Sequence, residues 1–306
     1  MALHRLASIT IGVPNVDETC RYYAEFGLIR DGACFSTSDG GEQLRIVESP
    51  TRRLIELCIG ADDPDDLDRI VNRLAKLRIA SQRDPASVSA VEVASGARAV
   101  IKVLPRISPG PASIGSDHGA ARARKENHRA PSILREEPVR PRKLGHVVIG
   151  TPDAEASQRF FAEGVGFKVS DQVRGTAAFM RCSTDHHNLL LQASPVAFLH
   201  HASWQVDDVD DVGRGATRML EGHPERHVWG LGRHYIGSNF FWYLRDPAGN
   251  FSEYYSDMDT ITDDQLWTPG TWEPSLHALY AWGPDVPPSM LAPDDLADLM
   301  TASHQS

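Results

Sequence analysis

Two stretches of the chain carry the same order of apolar and polar positions. R-L-A-S-I-T-I-G-V-P-N-V-D-E-T-C-R-Y-Y (5–23) reads as an apolar strand, a proline turn and an amphipathic helix. K-L-G-H-V-V-I-G-T-P-D-A-E-A-S-Q-R-F-F (143–161) follows it at a constant offset of 138. A second pair, starting E-S-P-T-R-R-L-I-E-L (48–67) and A-S-P-V-A-F-L-H-H-A (193–212), matches without gaps at an offset of 145. The chain is a duplicated module. Each copy holds two strand–turn–helix units, starting near residues 6 and 54 and near 144 and 199. Asp207, Asp208, Asp210 and Asp211 stand where a helix N-terminus favours negative charge.

The expected organisation is an N-terminal module over 1–105, a connector or surface excursion over 106–141, a second module over 142–258 and a tail over 259–306. The connector lacks periodicity and is rich in Pro, Gly and charge. The tail carries W-T-P-G-T-W-E-P and either covers a site mouth or forms a subunit contact.

Composition narrows the function classes. A formal charge of −10 over 306 residues argues against nucleic acid or an anionic membrane as partner, and the basic run at 121–125 is short and lies in the connector. Cys20, Cys34, Cys58 and Cys182 lie far apart, which suggests neither a disulfide framework nor a thiolate zinc site. No apolar run approaches the ~20 residues of a membrane span, and no secretory signal is evident. The expectation is a cytoplasmic protein.

Comparing the two copies isolates candidate chemistry. Where the second copy has His146, His187 and His201, the first has Ser8, Glu42 and Glu56. His146 and His201 open equivalent strands, so an approximate two-fold arrangement of the units points both into one space. A third ligand is expected from F-F-W-Y-L-R-D-P-A-G-N-F-S-E-Y-Y-S (240–256), where D-P-A-G-N is a turn signal between strands. A hairpin centred on Ala248 sets Tyr243 opposite Glu253 and Arg245 opposite Phe251. Two imidazoles and a carboxylate make a facial triad with open positions, which suits non-haem Fe(II), with Mn(II) as a substitute. Zinc is less favoured, because no hydrolytic motif accompanies the set.

These residues resemble the type I extradiol ring-cleaving dioxygenases of the vicinal oxygen chelate superfamily, most specifically from L-G-H-V-V-I to G-N-F-S-E-Y-Y. The resemblance implies an α+β fold of two tandem modules, each of paired βαβββ units, with metal in the second. It implies His146, His201 and Glu253 as metal ligands and His187, from T-D-H-H-N-L-L-L, as the acid–base group. It also places His234, from G-R-H-Y-I-G, and Tyr243 at the substrate oxygens. The implied reaction is O2-dependent meta-cleavage of a catechol-type diol to a muconic semialdehyde-type product, in a homo-oligomer. A ligand-sequestering protein and a glyoxalase-type enzyme are the alternatives on this scaffold.

The remaining histidines read as structural or solvent-facing: His4, His118, His128, His223, His227, His277 and His304. His186 and His200 adjoin site residues, and strand alternation turns them away as surface or supporting groups. Phe240, Phe241, Trp242 and Tyr254 read as core.

Overall fold

The computed structural model describes residues 3–111, Asn127, Arg129 and 131–303. The basic run at 121–125 and His118, His128 and His304 lie outside the described residues. In the first half the order is β1 (Leu3–Val13), α1 (Val16–Glu25), β2 (Ile29–Asp31), β3 (Cys34–Thr37) and β4 (Gly41–Glu48). It then repeats as β5 (Arg53–Ala61), α2 (Pro64–Lys76), β6 (Ser81–Asp84), β7 (Ser87–Val91) and β8 (Arg98–Val103). The second half runs β9 (Lys143–Thr151), α3 (Ala154–Arg159), β10 (Lys168–Val173), β11 (Ala177–Arg181) and β12 (Leu189–Ala193). Its second unit is β13 (Phe198–Gln205), α4 (Val209–Leu220), β14 (His227–His234), β15 (Phe240–Arg245) and β16 (Phe251–Ser256). Four βαβββ units result, as the duplication and the resemblance imply.

Each half forms one sheet with its two units back to back. The first has strand order β2-β3-β4-β1-β5-β8-β7-β6. The second has the same plan around the antiparallel pair β9–β13. The tail supplies β17 (Gly270–Trp272), α5 (Leu276–Leu279), β18 (Tyr280–Trp282), α6 (Pro288–Leu291) and α7 (Leu296–Ser303). Its two strands dock on opposite margins of the second sheet, β17 beside β10 and β18 beside β14.

Helix starts follow the acidic signals in the sequence. Asp63, Asp153 and Asp208 accept backbone N–H bonds from Asp66, Ala156 and Asp211 at the starts of α2, α3 and α4. Within the connector, half-buried Arg135 turns a covered side chain toward Asp208 and Asp211 and pairs with both, so that segment is anchored to α4.

The halves share one core, and α1 braces the strand that carries Glu253. Successive residues of β16 face opposite ways. Tyr254 stacks on Phe26 with ring centroids 3.8 Å apart, and its hydroxyl donates to the Phe26 carbonyl at 2.6 Å. Ser252 Oγ lies 2.5 Å from the Tyr22 hydroxyl. From the other side, Gln43 Oε1 accepts the Leu144 N–H at 2.7 Å and fixes the start of β9. Of the aromatics expected in the core, Phe241 and Tyr254 are buried, whereas Phe240 and Trp242 are half-buried. Trp242 packs against the shared core, and Arg233 covers the Phe240 ring at 4.4 Å.

Candidate metal centre and active site

Sheet register brings distant residues into one row. His146 on β9 pairs with Ser203 on β13, Ser203 with Glu253 on β16, and Glu253 with Tyr243 on β15. The hairpin expected around Ala248 is present, with Arg245 opposite Phe251. His201 lies two residues before Ser203 and shares its face. His146 Nε2 is 3.3 Å from His201 Nε2 and 3.1 Å from Glu253 Oε2, and His201 Nε2 is 3.5 Å from that oxygen. All three residues are buried.

His186 and His200 do not turn outward: both are buried. The register of β13 against β9 slips between Leu199 and His201, a bulge that puts His200 and His201 on the same side and defeats simple alternation. His200 Nδ1 lies 2.7 Å from His201 Nδ1, and its Nε2 lies 3.0 Å from the Met290 carbonyl on α6. A carbonyl only accepts, so His200 Nε2 carries hydrogen and its Nδ1 accepts from His201 Nδ1. That leaves the His201 Nε2 lone pair facing the cluster, the form a cation requires.

His187 lies two residues ahead of β12 rather than in it. Asn188 holds this segment: its Oδ1 accepts from the Cys182 and Ser183 N–H groups, and its Nδ2 donates to the Gly145 carbonyl beside His146. The His187 and His146 ring centroids are 4.3 Å apart. His234 ends β14; its Nδ1 donates to the Leu279 carbonyl at 2.6 Å, and its Nε2 accepts the Tyr243 hydroxyl at 2.9 Å. Asn239 was not singled out from the sequence, yet its Nδ2 donates to Glu253 Oε1 at 3.2 Å. A lone amide before an aromatic strand carries no periodic signal that would reveal it.

Electrostatics follow from burial. Desolvation alone raises the Glu253 carboxyl, but the His146, His234 and His201 imidazoles hold it well below the usual carboxylate range. Burial pushes His187 and His201 well below an ordinary imidazole and His200 down to about 4, so these rings are neutral at pH 7. Burial and the neighbouring Glu253 raise the Tyr243 phenol.

The donor set fits a divalent ion. Ligands about 2.1 Å from a metal and at right angles to one another stand about 3.0 Å apart, close to the separations seen. Glu253 Oε2 makes no hydrogen bond despite its burial, as does His146 Nδ1. An ionised, buried carboxylate oxygen that faces only the Nε2 atoms of His146 and His201 and accepts no hydrogen bond is costly, and a cation among the three would meet that need.

His146 and His201 line the floor of a cavity of about 400 Å³, with Glu253 buried behind them. Val148, Phe179 and Leu190 rise from the sheet, Ile236 reaches in from the loop after β14, and the tail closes the space with Leu276, Ala278, Leu279 and Met290. The Trp/Pro-rich tail therefore covers the mouth. A larger crevice of about 690 Å³ runs between the halves, but it is lined by opposite charges such as Arg106, Asp207 and Lys143 and lies away from the cluster.

Comparison with known proteins decides the family. Residues 143–254 match the Glyoxalase/Bleomycin resistance protein/Dioxygenase superfamily. Metapyrocatechase 2 of Cupriavidus necator is 31% identical over 299 residues, covering 94% of this chain and 91% of the relative. The chain belongs to the extradiol dioxygenases of this superfamily. A second such dioxygenase, the iron-dependent extradiol dioxygenase of Rhodococcus jostii strain RHA1, is 30% identical over 139 residues, covering 40% of this chain and 46% of the relative. The fold is shared with the Mn(II)-bound glyoxalase of Novosphingobium aromaticivorans, at TM-score 0.74 and 22% identity over 94% of each chain. Fold alone thus does not separate ring cleavage from glyoxalase chemistry; the full-length similarity does. His146, His201 and Glu253 offer ligand atoms close enough together to hold one metal ion, and the dioxygenase relatives point to a divalent one.

Proposed function

We propose that the enzyme cleaves a catechol bearing an uncharged, apolar substituent, using Fe(II) at His146, His201 and Glu253, with Mn(II) as the substitute. The observation that carries this reading is that His146 and His201 of the three-donor cluster, with His187, His234 and Tyr243, open onto one apolar cavity, while Glu253 stands buried directly behind them. The names of the Cupriavidus and Rhodococcus relatives support catechol cleavage and iron. When bound, the cation supplies acidification of the diol and a meeting point for diol and O2.

The chain's own residues do the rest. His187 is neutral, so it serves as a base that takes a hydroxyl proton and later returns it. Tyr243 keeps its proton, and its one O–H, which donates to His234 Nε2 in this structure, turns to donate to a ring oxygen when the diol binds. The tail excludes water. Among the described residues neither Arg nor Lys lines the cavity, so a carboxylate on the substrate would find no cationic partner among them. The volume lies in the range of about 300–1,000 Å³ that encloses organic ligands larger than one ring. The four cysteines are free, in keeping with a reducing, cytoplasmic setting.

Protein loaded anaerobically with Fe(II) is expected to take up oxygen with 3-alkyl- or 3-phenylcatechol and form a coloured ring-fission product, and to turn over dihydroxybenzoates on the order of 10²-fold less efficiently. Binding of catechols without oxygen uptake would replace this reading with sequestration.

A further inference from the structure

We propose that Asp171, acting through His186, sets the tautomer of His187 and so presents an unprotonated nitrogen to the cavity. The inference rests on the reading of His187 as the acid–base group. It arises from a chain of buried polar atoms outside the metal cluster. His187 Nδ1 lies 3.1 Å from His186 Nδ1, and His186 Nε2 lies 3.3 Å from Asp171 Oδ2. The other carboxylate oxygen, Asp171 Oδ1, accepts the Gly270 N–H of β17 at 2.5 Å.

The hydrogen positions follow from what each atom can do. A carboxylate only accepts, so His186 Nε2 carries a hydrogen and points it at Asp171. In neutral His186 that makes Nδ1 an acceptor, and the hydrogen between the two rings belongs to His187 Nδ1. His187 Nε2 is then left with its lone pair free, the form a general base needs. The mutual orientation of the rings is held from both sides. The Phe179 ring meets His187 edge-on at 5.2 Å, and the Trp267 ring meets His186 at 5.3 Å. Gly237, at φ +85°, packs so closely that a Cβ there would stand 3.2 Å from His187 Cε1.

The fold does not require this chain. At the offset of 145, the first half has Gly41 where the second has His186. A buried carboxylate that served only to tie down β17 would need Oδ1 alone. Asp171 is a positioning residue: it touches neither ligands nor substrate.

Asp171→Asn tests the idea sharply because Gly270 N–H keeps the amide oxygen on its own side. The amide NH2 must then face His186 and donate to its Nε2. His186 Nδ1 becomes the donor, His187 Nδ1 becomes the acceptor, and the hydrogen on His187 moves to Nε2. The readout is two-bond 1H–15N correlation on full-length, metal-free protein labelled in histidine. Wild type is expected to show His187 protonated at Nδ1 and His186 at Nε2, and Asp171→Asn the reverse. In the iron-loaded enzyme the variant should lose about 10²- to 10⁴-fold in kcat, with substrate KM and metal affinity retained. His186→Phe keeps the ring volume and leaves the Asp171–Gly270 bond intact; its His187 should become a mixture of tautomers. Wild-type His187 protonated at Nε2, or a His187 tautomer that neither variant alters, would overturn the proposal. Because the tautomer is read without metal or substrate, failure to cleave catechols would sink the functional reading and leave this result standing.

Discussion

The Nδ1 atoms of His200 and His201 lie 2.7 Å apart on adjacent residues of one strand, an approach made possible by the bulge in β13. The pair ends at the Met290 carbonyl, so the tail takes part in orienting a candidate ligand. His200→Ala removes the acceptor for His201 Nδ1 and should weaken metal binding by about 10- to 100-fold. Competition with a chelator of known affinity measures this. Unchanged affinity would assign His200 to packing alone.

Tyr243 stands opposite Glu253, lines the cavity and holds its hydroxyl against His234 Nε2. Tyr243→Phe keeps the ring against Trp229 and His201 and removes one donor. The expected result is a loss on the order of 10²-fold in kcat/KM with metal affinity intact. Steady-state oxygen uptake provides the comparison, and a loss of metal instead would make Tyr243 a support for Glu253.

Phe26 is fully buried beneath Tyr254, so the first half props up β16 from behind. Phe26→Ala should cost about 3–5 kcal/mol in urea unfolding. A cost under about 1 kcal/mol would show that the contact between the halves can be lost without penalty.

Asp246 opens the turn before β16, and burial pushes its carboxyl up to about 6 although the Asn250 and Ala248 donors oppose this. A folded-state value above the ordinary 3.8 means that the folded chain keeps its proton longer than the unfolded one. Stability from this group is full below about pH 4 and declines as pH rises through 6, by about 3 kcal/mol in total. The difference in unfolding free energy between wild type and Asp246→Asn should therefore fall across that window. A flat difference would place the Asp246 pKa near its ordinary value.

Much of this was legible from period and repetition. The offsets of 138 and 145 align four units, and the D-P-A-G-N turn alone put Tyr243 opposite Glu253. The copies differ at His146, His187 and His201, which marked out the site before any geometry was known. His186 and His200 were misplaced because alternation presumes an uninterrupted ladder. A bulge at 199–201 and an irregular segment before β12 break it, and neither leaves a local compositional trace. Asn239, Met290 and Asp171 act through contacts to residues far away in sequence, so no window around them could reveal their partners. The tail was ambiguous for the same reason: an amphipathic cover and a subunit contact have the same composition.

The placement of β17 and β18 has a wider effect. As the border strands of the ten-stranded sheet they are three residues long each, so a foreign strand finds only a short ladder there. The borders of the other sheet, β2 and β6, are three and four residues long and carry Arg30, Asp31, Arg83 and Asp84. Brevity and charge make them poor templates for fibre growth. Copies of this chain therefore offer one another only short strand margins for joining sheet to sheet.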